Sequence, residues 1–491
     1  MSSFNTPRDD DLFLGSNQGL HSYGDLNQFQ DFFLQFLFDF DHNFEKPVGF
    51  LSESSDSLIF GIAACWRLGI PFVCFSDKAS SSELQQQVEM IDPGLIFVDD
   101  ERNNMIDHPN KIDIYQLNLE RALNIETKLS YQAKNFDAST EPQEIFGYFF
   151  TSGTSGKPKI VPLKRRQMIV AAHSSAENFR PRMNHFWLLC LPLNHIGGIS
   201  IILRSLLYGS GIFRMKSFKP DRVIKFLSEN KLFHAASLVP TMLKKLIEQK
   251  GFYTHNQFKA ILLGGGPIDP ELVKACNRRG IPLVPSYGMT ETCAQIAANP
   301  ILKPSGTYSP MRSVGKVFHG NEIEIRDDSN NVLGLNTSGT IWLRGPQVFD
   351  GYLNEDEHDS EEIDYAGWFN TGDYGYVNNR GQLFIKSRRS DLIITGGENV
   401  SPFEVESTLT SLDEISEAAV IGLNDEKWGE KVAAVVVPDI ELSISSQEIQ
   451  DKLKSRISSF KIPKTIVQSD SLPRTQTGKL QRSKLKRLFT S

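Results

Sequence analysis

A chain of 491 residues is too long for one hydrophobic core, so at least two domains are expected. With 40% hydrophobic and 23% charged residues it reads as globular, neither disordered nor fibrous, and its net charge of -7 argues against a general nucleic-acid binder. Five scattered cysteines without a CxxC, and ten histidines with no pair three or four apart, indicate neither a disulfide framework nor a zinc or helical metal site.

The first residues are acidic and polar, unlike a signal peptide. Runs rich in β-formers then alternate with helical patterns, which predicts α/β layering: strands over 48–51, 72–75, 95–98, 146–151, 186–191 and 260–263, and helices over 58–68, 222–229 and 240–249. The longest apolar stretch, 196–213, is broken by four glycines and carries Arg204, so it makes a poor membrane span. A reducing cytoplasm fits these features. Past about 320 the texture changes to short strands between Gly/Asn turns (322–326, 339–343, 376–377, 382–385). The acidic run 355–364 reads as an exposed loop. A βαβ-like unit follows, with strands over 418–423 and 432–438 and a helix over 446–458. The polar stretch 388–391 suggests a boundary, dividing the chain into a large N-terminal domain (1–389) and a small α+β C-terminal one (390–491). Residues 451–491 hold eleven Lys/Arg against two Asp: either a solvated amphipathic face or a basic surface that meets a polyphosphate.

The strongest motif is Thr151-Ser152-Gly153-Thr154-Ser155-Gly156-Lys157-Pro158-Lys159, directly after a predicted strand. Glycines let backbone N–H groups approach an anion, hydroxyls donate, and lysines supply charge, as a phosphate-wrapping loop requires. It is not a Walker loop, because the glycine spacing differs and Pro158 stands where Ser or Thr belongs. A Ser/Gly surface linker is the plainer alternative.

At every position this loop resembles that of the adenylate-forming enzymes, the family of acyl-CoA synthetases, nonribosomal-peptide adenylation domains and beetle luciferases. Further resemblances follow in the family's order: Gly264-Gly265-Gly266-Pro267 with the turn beside adenine, Tyr287-Gly288-Met289-Thr290-Glu291 with the Y-G-x-T-E segment, and Thr371-Gly372-Asp373 with the ribose-binding aspartate motif. Arg388 stands as the second ribose contact, and Pro473-Arg474-Thr475-Gln476-Thr477-Gly478-Lys479 matches the C-terminal segment. The resemblance implies an enzyme that uses ATP to activate a carboxylate as an acyl-adenylate, then passes the acyl group to the thiol of CoA.

Each implied role has a physical reason. Joining a carboxylate to an α-phosphate brings two anions together, so Lys479 is the expected bridge between them. Glu291, in a catalytic segment with Thr290 and helped by Thr151, would hold Mg²⁺, which takes one or two carboxylates plus substrate oxygens. Asp373 suits the two ribose hydroxyls. The respective alternatives are one more tail lysine, a helix-start carboxylate and a turn aspartate. The resemblance further implies a rotating C-terminal domain pivoting at Ser390, with Gly396 and Gly397 lining a tunnel for the pantetheine arm; an ordinary hairpin turn is the rival there. Ser387 and Ser390 depart from the residues frequent at the hinge, as Asn194 does from the usual Phe.

Leu191-Pro192-Leu193-Asn194-His195 resembles a segment in which His195 gates the acyl pocket; the alternative is a structural histidine. Arg204 is the one charge in 196–213. A buried guanidinium without a partner is costly, so it needs an internal acid, a route to the surface, or an anionic ligand such as a second carboxylate on the substrate. Segments around 192–205, 262–267 and 388–399 resemble a branch of the family whose acid carries two carboxylates, one activated and one retained. An aryl- or fatty-acid–CoA ligase, an enzyme that loads a carrier protein, or a non-catalytic nucleotide binder would be the other readings. No oligomeric state follows from the sequence.

Overall fold

The computed structural model describes residues 6–77, 79–124, 144–152, 158–302, 313–353, 362–388, 391–395, 398–425, 428–439, 444–454, 456–474 and 480–489. They form four sheets. In the six-stranded sheet, Lys111–Asp113, Leu95–Val98, Val48–Leu51, Phe72–Cys74 and Ile145–Ser152 run parallel, and Pro158–Lys164 closes the edge antiparallel. Val48–Leu51 is buried at all four positions, as expected of a parallel strand covered on both faces. The helix Asp56–Leu68 makes the crossover to the next strand. Ser55 caps its start by accepting from the Leu58 N–H, and Gly69 ends it at φ 81°.

The nine-stranded sheet has a parallel centre of Gly211–Arg214, Phe186–Leu189, Phe233–Leu238, Ala260–Leu263 and Leu283–Tyr287. Their carboxyl ends release three turns on one edge: 190–195, 264–267 and 288–292. Ligands of open α/β sheets bind in the crevice outside that edge. A four-stranded antiparallel sheet follows, Glu322–Arg326, Gly339–Arg344, Phe369–Val377 and Leu383–Arg388. The last sheet comprises Ile393–Thr395, Glu398–Val400, Ile415–Asp425, Gly429–Pro438 and Thr465–Gln468. Among the described residues, the apolar clusters up to Ile385 share no member with those built from Ile393 to Phe489.

Several expectations are corrected. The stretch 196–213 is not one broken run. It is the helix Ile196–Tyr208, ended by Gly209 at φ 69°, followed by the strand Gly211–Arg214. Its early glycines hid the helix, yet one is sterically required: a Cβ on Gly198 would lie 2.4 Å from the Pro192 carbonyl oxygen. Thr371–Asp373 lies inside the strand Phe369–Val377, with Gly372 at φ 67° producing the irregularity there, so Asp373 is no turn residue. The supposed βαβ unit opens with an antiparallel hairpin, Ile415–Asp425 against Gly429–Pro438. The parallel partner after the helix Ser446–Lys454 is Thr465–Gln468. Much of the basic tail is neutralised internally: Lys452 pairs with Glu414, Lys461 with Glu404, Arg474 with Glu417, and Arg482 with Glu406 and Asp391. This favours the solvated-face reading. Of the acidic run, Glu362 pairs with Lys159 and Asp364 with Arg326, so these two are structural partners rather than idle loop charges. No described helix is long and apolar enough to cross a membrane.

Candidate active site

Strand Ile145–Ser152 and strand Pro158–Lys164 pair in register, Thr151 opposite Lys159 and Ser152 opposite Pro158, so the hydroxyl-rich loop is the connection of a β-hairpin. Thr151 is half-buried at its rim. Gly153, Thr154, Ser155, Gly156 and Lys157 lie outside the described residues, as do Ser390, Gly396, Gly397 and Lys479.

The turn after Ala260–Leu263 depends on glycine. A Cβ on Gly264 would sit 2.8 Å from the Ser286 Oγ, and Gly265 adopts φ 76°. Gly265 and Pro267 are exposed and Gly266 is half-buried, so the turn offers bare backbone against which a flat ring could lie. Next to it, strand Leu283–Tyr287 ends in Gly288, where a Cβ would fall 1.6 Å from the Ala294 carbonyl oxygen. That overlap cannot be relieved by a side-chain rotation. Gly288→Ala is therefore expected to destabilise the protein by about 1–3 kcal/mol, read as a lower urea midpoint at unchanged m.

Tyr287 and Arg388 converge on Asp373. The Tyr287 hydroxyl donates to Asp373 Oδ2 at 2.6 Å, and Arg388 Nε lies 3.0 Å from Oδ1 while its Nη1 donates to the Thr371 carbonyl at 2.8 Å. Burial, and then the charge of Asp373, hold the Tyr287 phenol well above its ordinary pKa, so it remains a donor. A carboxylate fixed at both oxygens, with lone pairs remaining, can accept two vicinal hydroxyls.

Glu291 sits in the 3₁₀ turn Thr290–Thr292, where Thr290 is half-buried and Glu291 is buried. Its backbone carbonyl accepts from the Phe349 N–H at 2.8 Å, and its Oε1 accepts from the Tyr352 hydroxyl at 2.9 Å. A buried carboxylate with one oxygen already oriented fits a magnesium ligand that shares the ion with phosphate oxygens.

Beyond that turn, Cys293 and Ala294 both have positive φ, 55° and 80°, a strained pair of non-glycine residues beside a small chamber. The chamber is lined by Met168, Ala171, Ser200, Leu203, Arg204 and Gln295, among others. Arg204 is 2% exposed and lies 4.2 Å over the Trp187 ring. Among the described residues, nothing offers a hydrogen bond to its buried Nε and Nη2, nor to either amide atom of Gln295. Burial pulls the Arg204 pKa down to about 9, so the group is still a cation at neutral pH. Among the described residues no acid pairs with it, and at 2% exposure it has no open route to water. His195 occupies the N-cap position of the same helix and is exposed. Sequence reasoning missed Gln295, Tyr352 and Trp187. Each lacks a motif, and their relevance comes from partners far away in the chain.

The family model described as AMP-binding enzyme matches residues 4–353, and that of the AMP-binding enzyme C-terminal domain matches 404–479. The 2-succinylbenzoate–CoA ligase of Bacillus subtilis is 35% identical over 438 residues, covering 89% of this chain and 86% of that protein. The enzyme of the same name from Enterococcus faecalis is 33% identical over 439 residues, covering 89% and 87%. Among solved structures, o-succinylbenzoate CoA synthetase from Bacillus subtilis in complex with its acyl-adenylate intermediate superposes with a TM-score of 0.85 at 31% identity, covering 97% of this chain and 95% of that one. The same enzyme with ATP and a magnesium ion gives a TM-score of 0.83 at 31% identity, with coverage of 97% and 96%. With a family model matched over most of its length and a relative 35% identical across 89% of it, the chain belongs to the AMP-binding enzyme family.

Proposed function

We propose that this protein is an AMP-forming acid–CoA ligase that converts 2-succinylbenzoate to 2-succinylbenzoyl-CoA, a step of menaquinone biosynthesis. The observation that carries the substrate is Arg204, whose buried Nε and Nη2 have no partner among the described residues. A cation buried this deeply costs several kcal/mol after relaxation, and stacking on Trp187 returns about 2 kcal/mol, so the remainder calls for an anion. A carboxylate entering the chamber would accept from Nε and Nη2, with the Gln295 amide as a further donor. 2-Succinylbenzoate has a carboxylate to retain there and another, on its succinyl arm, to activate. The names of the relatives agree with this assignment.

In the first half-reaction a carboxylate oxygen attacks the α-phosphorus of ATP, the bond to the β-phosphate oxygen breaks, and pyrophosphate leaves. Asp373, Arg388 and the Gly264–Pro267 turn hold the nucleoside, and the loop 151–157 and Lys479 screen the meeting anions. When bound, Mg²⁺ would be held by Glu291 and Thr151 and would supply further charge neutralisation on the phosphates. In the second half-reaction the sulfur of CoA attacks the acyl carbon, the C–O bond to AMP breaks, and AMP departs. The 390–491 unit turns about Ser390 between the two steps, bringing Gly396 and Gly397 to the thiol's path while His195 opens the acyl pocket.

The test is an ATP- and CoA-dependent thioester assay over a panel of acids. The expected result is turnover of 2-succinylbenzoate far above that of benzoate, 4-phenylbutanoate and fatty acids. Good turnover of a monocarboxylate with none of 2-succinylbenzoate would remove the substrate assignment and spare the ligase class.

A further inference from the structure

The segment Phe349–Leu353 is tied down on two sides. Toward the Glu291 turn, the Phe349 N–H donates to the Glu291 carbonyl at 2.8 Å and the Tyr352 hydroxyl donates to its Oε1 at 2.9 Å. Toward the strand that leaves the phosphate loop, the Leu353 N–H donates to the Ile160 carbonyl at 2.9 Å, Asp350 pairs with Lys164 at 2.8 Å, and the Lys159 ammonium lies 4.5 Å over the Tyr352 ring. Arg166, at the start of the next helix, also reaches Asp350, at 2.7 Å. The segment thus straps the Glu291 turn to the strand Pro158–Lys164, which directly follows the phosphate loop in the chain.

The final torsion of a glutamate is broad, so rotamer preference does not set the plane of its carboxylate. A neighbour must set it. We propose that Tyr352 is the positioning residue for the magnesium carboxylate: its hydroxyl holds Oε1 and turns Oε2 toward the nucleotide phosphates, and the Lys159 cation fixes the ring that bears this hydroxyl. The inference rests on the reading of Glu291 as the magnesium ligand. Through the strap, Glu291 and the strand Pro158–Lys164 keep one register, so an ion held by that carboxylate would meet the triphosphate in a preset geometry instead of an average one.

Tyr352→Phe removes the hydroxyl and keeps the ring and its packing. The Mg²⁺ concentration for half-maximal ATP–pyrophosphate exchange should rise about tenfold, the effect of one hydrogen bond to a charged group. Calorimetric titration should show weaker binding of ATP in Mg²⁺ and unchanged binding of ATP in EDTA, a contrast that a purely structural role would not produce. Glu291→Gln, measured alongside, should shift the same Mg²⁺ dependence. An unshifted Tyr352→Phe beside a shifted Glu291→Gln overturns the role of Tyr352 alone. Equal weakening with and without Mg²⁺ also overturns it, because the damage is then general. If neither variant shifts, the reading of Glu291 falls with it.

Discussion

Arg204→Leu is expected to lower kcat/KM for 2-succinylbenzoate by about 10²–10³-fold while raising the stability of the ligand-free protein. The loss follows from the proposed bidentate anion contact: truncating one partner of a buried, hydrogen-bonded charge pair costs about 2–5 kcal/mol. The gain in stability has the same origin. Without ligand, this guanidinium is buried with two unpartnered nitrogens. Its folded-state pKa is depressed, so the unfolded chain binds that proton more tightly, and the group opposes folding at every pH below about 9. The penalty fades as pH rises through 9 toward the group's ordinary value. Leucine removes it, at the loss of the stacking on Trp187, for a net gain of about 1 kcal/mol. Thermal unfolding with and without the acid reads both effects. The wild type should gain a ligand-induced rise in Tm that Arg204→Leu lacks, and the variant should start higher. A variant that is less stable and still turns over 2-succinylbenzoate normally would show that Arg204 has a satisfied structural role.

Lys479→Ala is expected to slow ATP–pyrophosphate exchange by about 10²–10³-fold, the size of losing one preorganised charge at a developing anion. Supplied with the preformed acyl-adenylate and CoA, the same variant should make thioester at close to the normal rate, because the second step joins a thiol to a neutral acyl carbon and does not ask a cation to reconcile two anions. Equal losses in both steps would point to a folding or docking defect of the C-terminal unit. No loss in either would remove the lysine from the chemistry and weaken the enzyme reading itself.

The sequence was most legible where backbone chemistry demands particular residues. The glycines at 264, 265 and 288 stand where a Cβ collides or φ is positive, so the motif and the geometry are one fact. Six of the parallel strands were visible too, since burial on both faces writes an apolar run such as Val48–Leu51, whereas Lys111–Asp113, Gly211–Arg214, Phe233–Leu238 and Leu283–Tyr287 went unread. The helix Ile196–Tyr208 was hidden because Gly197 and Gly198 imitate punctuation and its all-round burial leaves no polar face to set a period. Arg204 stood out as the odd charge in that run, but Gln295 did not: an amide announces nothing until the chamber around it is assembled. Tyr352 is likewise an ordinary aromatic until the turn carrying Glu291 is folded against it.

Among the described residues, the absence of any shared apolar cluster between the part ending at Ile385 and the part beginning at Ile393 has a kinetic meaning for the proposed swivel. A pivoting tail would split no common greasy cluster, and its barrier would include polar tethers such as the Ser401 hydroxyl on the Lys386 carbonyl at 2.6 Å. A tail joined in this way would change pose at the pace of breaking hydrogen bonds, and substitutions at the seam would retune that tempo without softening either half.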